Sequence, residues 1–195
     1  MKKRITVVGG GAWGTALAVQ AVRAGEDVEL ILRNPELADR INIKGENDLY
    51  LPGVSLPGAL RATTTYDGLR DSDAVLLVTP AQHLRETLTK LAAHWVDGLP
   101  AVICCKGIEK QTGALMAQVV TETLGNVPVA VLSGPTFAQE VAVGLPAAIT
   151  LACEDRVLGK RLVELIGTPE FRPYFSTDVA GVEVAGAIKN VLAIA

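Results

Sequence analysis

Apolar and polar positions along the chain fall into two alternating rhythms. Short, nearly unbroken apolar runs recur at Ile5–Val8, Val28–Leu32, Ala74–Val78, Ala101–Cys105, Val129–Leu132 and Ala147–Ala152. Runs of this kind suit strands covered on both faces. Between them lie longer stretches with apolar residues at helical spacing: Ala12–Ala24, Pro35–Lys44, Ala81–Trp95, Thr112–Leu124, Phe137–Val143 and Arg156–Ile166. Gly25 and Gly125 stand where helices stop, and Pro35 stands in a first helical turn. Arg61–Thr65 and Phe171–Phe175 predict two more strands. Pro173 cannot donate to a ladder, so Phe171–Phe175 belongs at an edge, with irregular pairing to the strand before it. Two Leu-Pro-Gly triplets, at Leu51–Gly53 and Leu56–Gly58, read as turns rather than a repeat. Strands alternating with helices predict an α/β fold with a doubly wound, mostly parallel sheet and extra edge strands.

From Val179 the pattern is helical to the last residue. Val184, Ile188, Val191, Leu192 and Ala195 form an apolar stripe at helical spacing. The stripe stops without a cap, a glycine or a polar tail. That predicts the front part of a longer protein: one domain over 1–178, and 179–195 as the start of a second whose remainder is absent.

The first strand runs straight into Gly9-Gly10-Gly11-Ala12-Trp13-Gly14. Gly9, Gly11 and Gly14 fit the spacing G-x-G-x-x-G of a Rossmann-type dinucleotide site. In that arrangement Gly9 makes the tight turn. Gly11 lets backbone approach a diphosphate, and Gly14 lets the helix lie close to the sheet. The helix then presents free N–H groups and the positive end of its dipole to the phosphates. A glycine pattern alone is weak, but here it leaves a β-branched strand and opens a helix. After the second strand stands Arg33, where an NAD-selective site usually carries Asp or Glu. A guanidinium there suits a 2′-phosphate, so NADP(H) is favoured, with NAD(H) possible. The competing reading is a solvent-facing loop arginine.

Composition narrows the class. Of 195 residues, 49% are hydrophobic and 20% charged, enough apolar content for a large core. A net charge of −3, with no run of Lys and Arg, argues against a nucleic-acid partner. No apolar stretch is long enough to insert in a membrane, and glycines interrupt the run behind Met1-Lys2-Lys3-Arg4. Cys104, Cys105 and Cys153 form an odd set without C-x-x-C spacing, as in a reducing cytoplasm. His83 and His94 stand eleven residues apart without acids or cysteines to share a metal, so no metal is expected. Both read as structural.

Two lysines stand where chemistry is placed. Lys106 follows a strand at the sheet's carboxyl edge, beside Gly107. Lys189 sits among Ala185, Gly186, Ala187, Ile188, Val191 and Leu192. Apolar surroundings disfavour a charged ammonium and fit it for acid–base work. The plain alternatives are a loop lysine and the polar edge of an amphipathic helix. Ser133-Gly134-Pro135-Thr136 is a second candidate anion site. Gly134 permits close approach, Pro135 suits a first helical position, and Thr136 adds a hydroxyl at the helix start. Plain helix capping would explain it equally.

Taken together these stretches resemble the bacterial NAD(P)-dependent glycerol-3-phosphate dehydrogenase family. The matching pieces are Gly9–Ala18, Tyr50–Gly53, Lys106–Glu109, Ser133–Glu140 and Gly186–Val191, in family order across nearly the whole chain. The resemblance implies hydride transfer between a nicotinamide and the pair glycerol 3-phosphate and dihydroxyacetone phosphate, a phosphorylated triose, feeding phospholipid synthesis. It implies Lys189 as the proton acceptor or donor, and Lys106 in contact with substrate and cofactor. Gly134, Thr136, Lys189 and Asn190 would meet substrate. Gly9, Gly11, Ala12, Trp13, Gly14, Arg33, Tyr50 and Ala138 would meet cofactor. It further implies a missing helical domain that completes the substrate site, so that this chain alone binds cofactor with little turnover. A homodimer of the longer protein is possible. Two rivals remain: a non-catalytic NADP(H)-binding module, which would not need Lys106 or Lys189, and another reductase of similar fold.

Overall fold

The structure is a computed structural model that describes residues 2–192, and side chains as far as Lys189. The strands are β1 (Arg4–Val8), β2 (Asp27–Ile31), β3 (Arg61–Thr63), β4 (Ala74–Leu77), β5 (Ala101–Ile103), β6 (Val129–Ser133), β7 (Ala147–Ala152) and β8 (Phe171–Ser176). The helices are α1 (Ala12–Arg23), α2 (Pro35–Lys44), α3 (Leu84–Leu91), α4 (Met116–Leu124), α5 (Ala138–Val143), α6 (Arg156–Ile166) and α7 (Val179–Leu192). All eight strands join one sheet in the order β3-β2-β1-β4-β5-β6-β7-β8. The first six in that order are parallel neighbours. The order reverses direction between β1 and β4, and a crevice opens at such a switch point.

Side chains alternate across the sheet. Ile5 and Val7 of β1, Leu76 of β4, Val102 of β5 and Leu132 of β6 pack on the face carrying α1, α2 and α6. Val8, Val75, Leu77, Ile103 and Val131 pack on the face carrying α3 and α4. Both faces are covered, which is why these strands read as continuous apolar runs.

The differences from the sequence expectations have local causes. The stretch Ala81–Trp95 is no single helix: tight 3-10 turns at Ala81–His83 and Ala92–His94 flank α3. The helix expected from Thr112 begins only at Met116. Before it, Gly113 takes φ +74°, and Ile108 bridges Leu115. The last two strands pair in regular parallel register through six residue pairs, Pro173 included. Irregularity lies one strand earlier, where β7 runs antiparallel to β6. Pro173 is accommodated because β8 is an edge with only one neighbour.

The stripe expected on α7 is only partly buried. Val184 and Ile188 face outward, 41% and 42% exposed, while Val179 and Val182 pack on the second core. Among the described side chains of α7, the buried one is Glu183. Its Oε1 accepts from Ala117 N at 2.9 Å, at the start of α4. Burial pushes this carboxyl up from its ordinary value. Val191, Leu192 and Ala195 lie outside the described side chains.

Candidate functional site

The glycine turn closes the carboxyl end of β1. Gly9 N donates to Ile31 O at 2.9 Å, and Gly9 itself takes φ +125°. A Cβ there would stand 2.9 Å from the carbonyl carbon of Val78, just past β4. A Cβ on Gly14 would collide with the carbonyl oxygen of Gly9. These two glycines therefore let α1 lie directly on the strand ends. Gly11 differs: no atom lies within 4 Å of where its Cβ would be. It is also the N-cap of α1 and supplies no side-chain acceptor. The first-turn N–H groups thus face an open space, the geometry that receives an anion. Trp13 Nε1 and Thr79 Oγ1 are buried polar atoms without a partner in the structure. A buried donor left unpaired is costly, so these atoms fit a ligand that completes them.

The lysines arrive from the other half of the sheet. Lys106 follows β5, and its Nζ donates to Gly134 O, just after β6, at 2.8 Å. The Lys106 loop is clamped from behind. Gln82 donates through Nε2 to Ile108 O at 2.8 Å and accepts from Lys110 N at 3.0 Å. Glu109 receives Arg85 Nε at 2.9 Å and Nη2 at 2.8 Å, with Thr112 Oγ1 at 2.6 Å. Those bonds, Arg85 first, hold the Glu109 carboxyl down to about 2.

Helix α7 then crosses the end of β6. A Cβ on Gly186 would stand 2.7 Å from Ser133 Oγ and 3.5 Å from Lys106 Cγ, so α7 approaches both closely. One turn on, Lys189 Nζ stands 5.6 Å from the centre of the Phe137 ring, within cation–π range. Lys189 is only partly buried, less than the apolar pattern predicts, because Ile188 and Ala185 face outward. The Lys106 ammonium is pulled below its ordinary value, by burial first and then by repulsion from Lys189. The two cations therefore share one electrostatic site.

The remaining candidates sit around this crevice. Arg33 is exposed past β2 and makes no hydrogen bond or ion pair among the described residues. Its neighbour Asn34 caps α2, accepting from Glu36 N at 2.9 Å. Tyr50 is 50% exposed on the loop after α2. Ala12 and Ala138 pack against the core beside the glycine turn's face of the sheet. Thr136 was expected at a helix start, yet α5 begins at Ala138 and its N-cap Phe137 makes no side-chain cap. Thr136 Oγ1 is instead buried without a partner, and Pro135 precedes the helix. The Asn190 side chain lies outside the described residues. His83 is exposed, and His94 packs edge-on against Tyr66 with ring centres 5.6 Å apart. No group of His, Cys, Asp and Glu fit for a metal occurs among the described residues. No helix among them is long and apolar enough to cross a membrane. A groove of about 630 Å³ lined by Glu122, Asn126, Glu154 and Val179 lies at the far end of β6, away from these groups.

Sequence reasoning missed the residues that support the site: Asn47, Gln82, Arg85, Glu109 and Glu183. Their signal was a polar residue inside an otherwise apolar or turn-rich stretch, which only its folded partners distinguish from an ordinary surface position.

Comparison with known proteins agrees with this geometry. Residues 4–158 match the family model described as NAD-dependent glycerol-3-phosphate dehydrogenase N-terminus. A glycerol-3-phosphate dehydrogenase of Paramagnetospirillum magneticum, named as using NAD(P)+, is 58% identical across 99% of this chain and 70% of its own length. One from Rhodospirillum rubrum is 55% identical across 98% of this chain and 55% of its own length. The crystal structure of glycerol-3-phosphate dehydrogenase from Coxiella burnetii superposes with a TM-score of 0.92 at 36% identity, over 99% of this chain and 59% of that one. The chain thus spans between about half and 70% of these relatives. A glycine turn, a strand order and two converging lysines, matched over nearly every residue to such relatives, mean that this chain belongs to the NAD-dependent glycerol-3-phosphate dehydrogenase family.

Proposed function

We propose that this chain is the coenzyme-binding part of a dehydrogenase that interconverts glycerol 3-phosphate and dihydroxyacetone phosphate. The observation that carries the reading is the meeting of Lys106 with Gly134 O and of α7 with Lys106 at Gly186, beside the open glycine turn. The family's relatives named as using NAD(P)+ support a nicotinamide dinucleotide as coenzyme. The residues fit that group: Gly9, Gly11 and Gly14 leave room, Ala12 and Trp13 stand at the α1 start, and Thr79 and Trp13 hold unpaired polar atoms. Tyr50 and Ala138 would flank it. Arg33, exposed and making no ion pair among the described residues, favours NADP(H) over NAD(H) by pairing with the 2′-phosphate.

A bound nicotinamide supplies or accepts the hydride. The chain's own residues do the rest. Lys189 gives a proton to, or takes one from, the triose oxygen at the reacting carbon. Lys106, partly desolvated, stabilises the negative charge developing on that oxygen. An anionic substrate between Lys106 and Lys189 also relieves their mutual repulsion. Gly134, Thr136 and Asn190 are proposed to hold the substrate. The additional length of the relatives supports a further domain, and a cytoplasmic, phospholipid-supplying role is part of the same proposal. The test is reduction of dihydroxyacetone phosphate with NADPH and with NADH, on this chain and on a version carrying the relatives' additional length. Turnover by the longer version with NADPH preferred supports the reading. NADPH binding without any triose turnover in the longer version would favour a non-catalytic module.

A further inference from the structure

Asn47 is fully buried, a polar residue in a loop whose other buried residues, Leu51, Val54 and Leu56, are apolar. The loop closes on itself: Glu46 bridges Ser55, Leu56 N donates to Gly45 O at 2.8 Å, and Leu51 N donates to Asn47 O at 2.8 Å. The Asn47 side chain reaches out of that loop. Its Nδ2 donates to Gly10 O at 3.0 Å and to Thr15 Oγ1 at 2.7 Å. Its Oδ1 accepts from Tyr50 N at 3.3 Å. One amide group therefore ties together the glycine turn, the first turns of α1 and the Tyr50 loop. A buried primary amide that braces its own loop at Tyr50 and reaches two other segments, at Gly10 and Thr15, is a fixed point, since losing any of these bonds strands a polar group away from water.

The direction of the Gly10 bond matters most. A trans peptide is planar, and its C=O and the next residue's N–H point to opposite sides. Holding the Gly10 carbonyl against Asn47 on the buried side therefore turns the Gly11 N–H outward. Gly11 itself is uncrowded, with nothing within 4 Å of a would-be Cβ. Gly11 and Gly10 are flexible residues, and without an anchor the Gly10–Gly11 plane would sample other orientations.

We propose that Asn47 is a positioning residue for the coenzyme: by holding the Gly10 carbonyl inward it aims the Gly11 N–H at the diphosphate and locks the Tyr50 loop to the same turn. This rests on the coenzyme reading above. Asn47 touches no coenzyme atom itself. It acts by pre-setting a donor, so that binding need not freeze the turn.

The experiment is calorimetric titration of the chain with NADPH for the wild type, Asn47→Ala, Asn47→Asp and the control Asn42→Ala. Asn42 also makes a paired side-chain bond, to the backbone of Ala62, but on β3 and away from the glycine turn. Asn47→Ala and Asn47→Asp should weaken NADPH about tenfold or more, the scale of a lost or reversed hydrogen bond. Asn42→Ala should stay near wild type at equal loss of melting temperature. ADP-ribose, which retains the diphosphate, should weaken in parallel with NADPH, whereas adenosine should not. A second measurement needs no variant: in the wild-type chain the Gly11 amide should exchange quickly when free and become protected on NADPH binding. Asn47 variants that bind NADPH within twofold of wild type, or that lose adenosine equally, overturn the proposal. So does a Gly11 amide unaffected by NADPH. Failure of the wild type to bind NADPH at all would remove the coenzyme reading, and this inference with it.

Discussion

At the residue scale, single atoms decide. Gly14 has no room for even one methyl group, since its Cβ would collide with a backbone oxygen that cannot move aside. Gly14→Ala should therefore destabilise the chain by about 1–3 kcal/mol, the scale of core overpacking, and abolish NADPH binding; chemical denaturation and titration check both. Arg33 is exposed and makes no hydrogen bond or ion pair among the described residues, so Arg33→Asp should leave stability nearly unchanged and shift the NADPH/NADH affinity ratio toward NADH. An unchanged ratio removes Arg33 from coenzyme selection. Lys189→Ala in the longer version should retain NADPH affinity and lose most triose reduction, whereas Lys189→Arg retains the cation over Phe137 but cannot readily release a proton. Equal turnover in wild type and Lys189→Ala would end the catalytic assignment. At this scale the sequence was legible for the glycines, whose spacing is local. It was not legible for Asn47 or Gln82, because a polar residue's value depends on which backbone groups fold against it.

At the element scale, two carboxyls fasten segments around the site, and their values shift in opposite directions. Arg85 and Thr112 hold Glu109 down to about 2, against an ordinary value of 4.5. Its stabilising contribution is therefore complete above about pH 4.5 and is lost as pH falls toward 2. Urea melts from about pH 6 down to about pH 3 should show this loss, and Glu109→Gln should flatten it. Glu183 behaves in the other sense. Burial raises its carboxyl, so its folded state prefers the proton, and stability drops as pH rises through that raised value. Glu183 also receives an N–H at the start of α4, whose N-cap Leu115 has no polar side chain. Glu183→Ala should cost about 1 kcal/mol, while Glu183→Gln keeps the acceptor and should cost less; denaturant midpoints separate the two. Hydrophobic period located α4 and α7 along the chain, but it started α4 too early and did not show that Val184 and Ile188 of the α7 stripe face outward. The Ile108–Leu115 bridge and the close seat of Gly186 on Ser133 set those details, and both are contacts between distant elements.

At the scale of the whole molecule, the sheet order brings loops after β1, β4, β5 and β6 to one edge. Coenzyme bound there should stabilise the entire chain, because α1 and β1 share one core with Val102 and Cys104, the strand end from which the Lys106 loop leads. NADPH at a hundred times its dissociation constant should add about 2.7 kcal/mol to unfolding, seen as a rise in melting temperature that grows with ligand concentration. No rise at saturating NADPH would contradict a coenzyme site in this chain. The parallel order was legible from alternating strands and helices. The antiparallel turn into β7 was not, because a short helix such as α5 can return the chain in either direction.

Sequence alone determined the α/β alternation, the glycine turn, the positions of Lys106 and Lys189 at element ends, and the family. These are set by local spacing and by runs of like residues, which the chain carries wherever it folds. Only the tertiary structure decided that Lys106 meets Gly134, that α7 seats on Ser133 through Gly186, that Glu109 is pinned by Arg85, and that Asn47 holds the glycine turn. Those pairings join residues far apart in the chain, and their free energy exists only once burial removes the water that would otherwise satisfy each group.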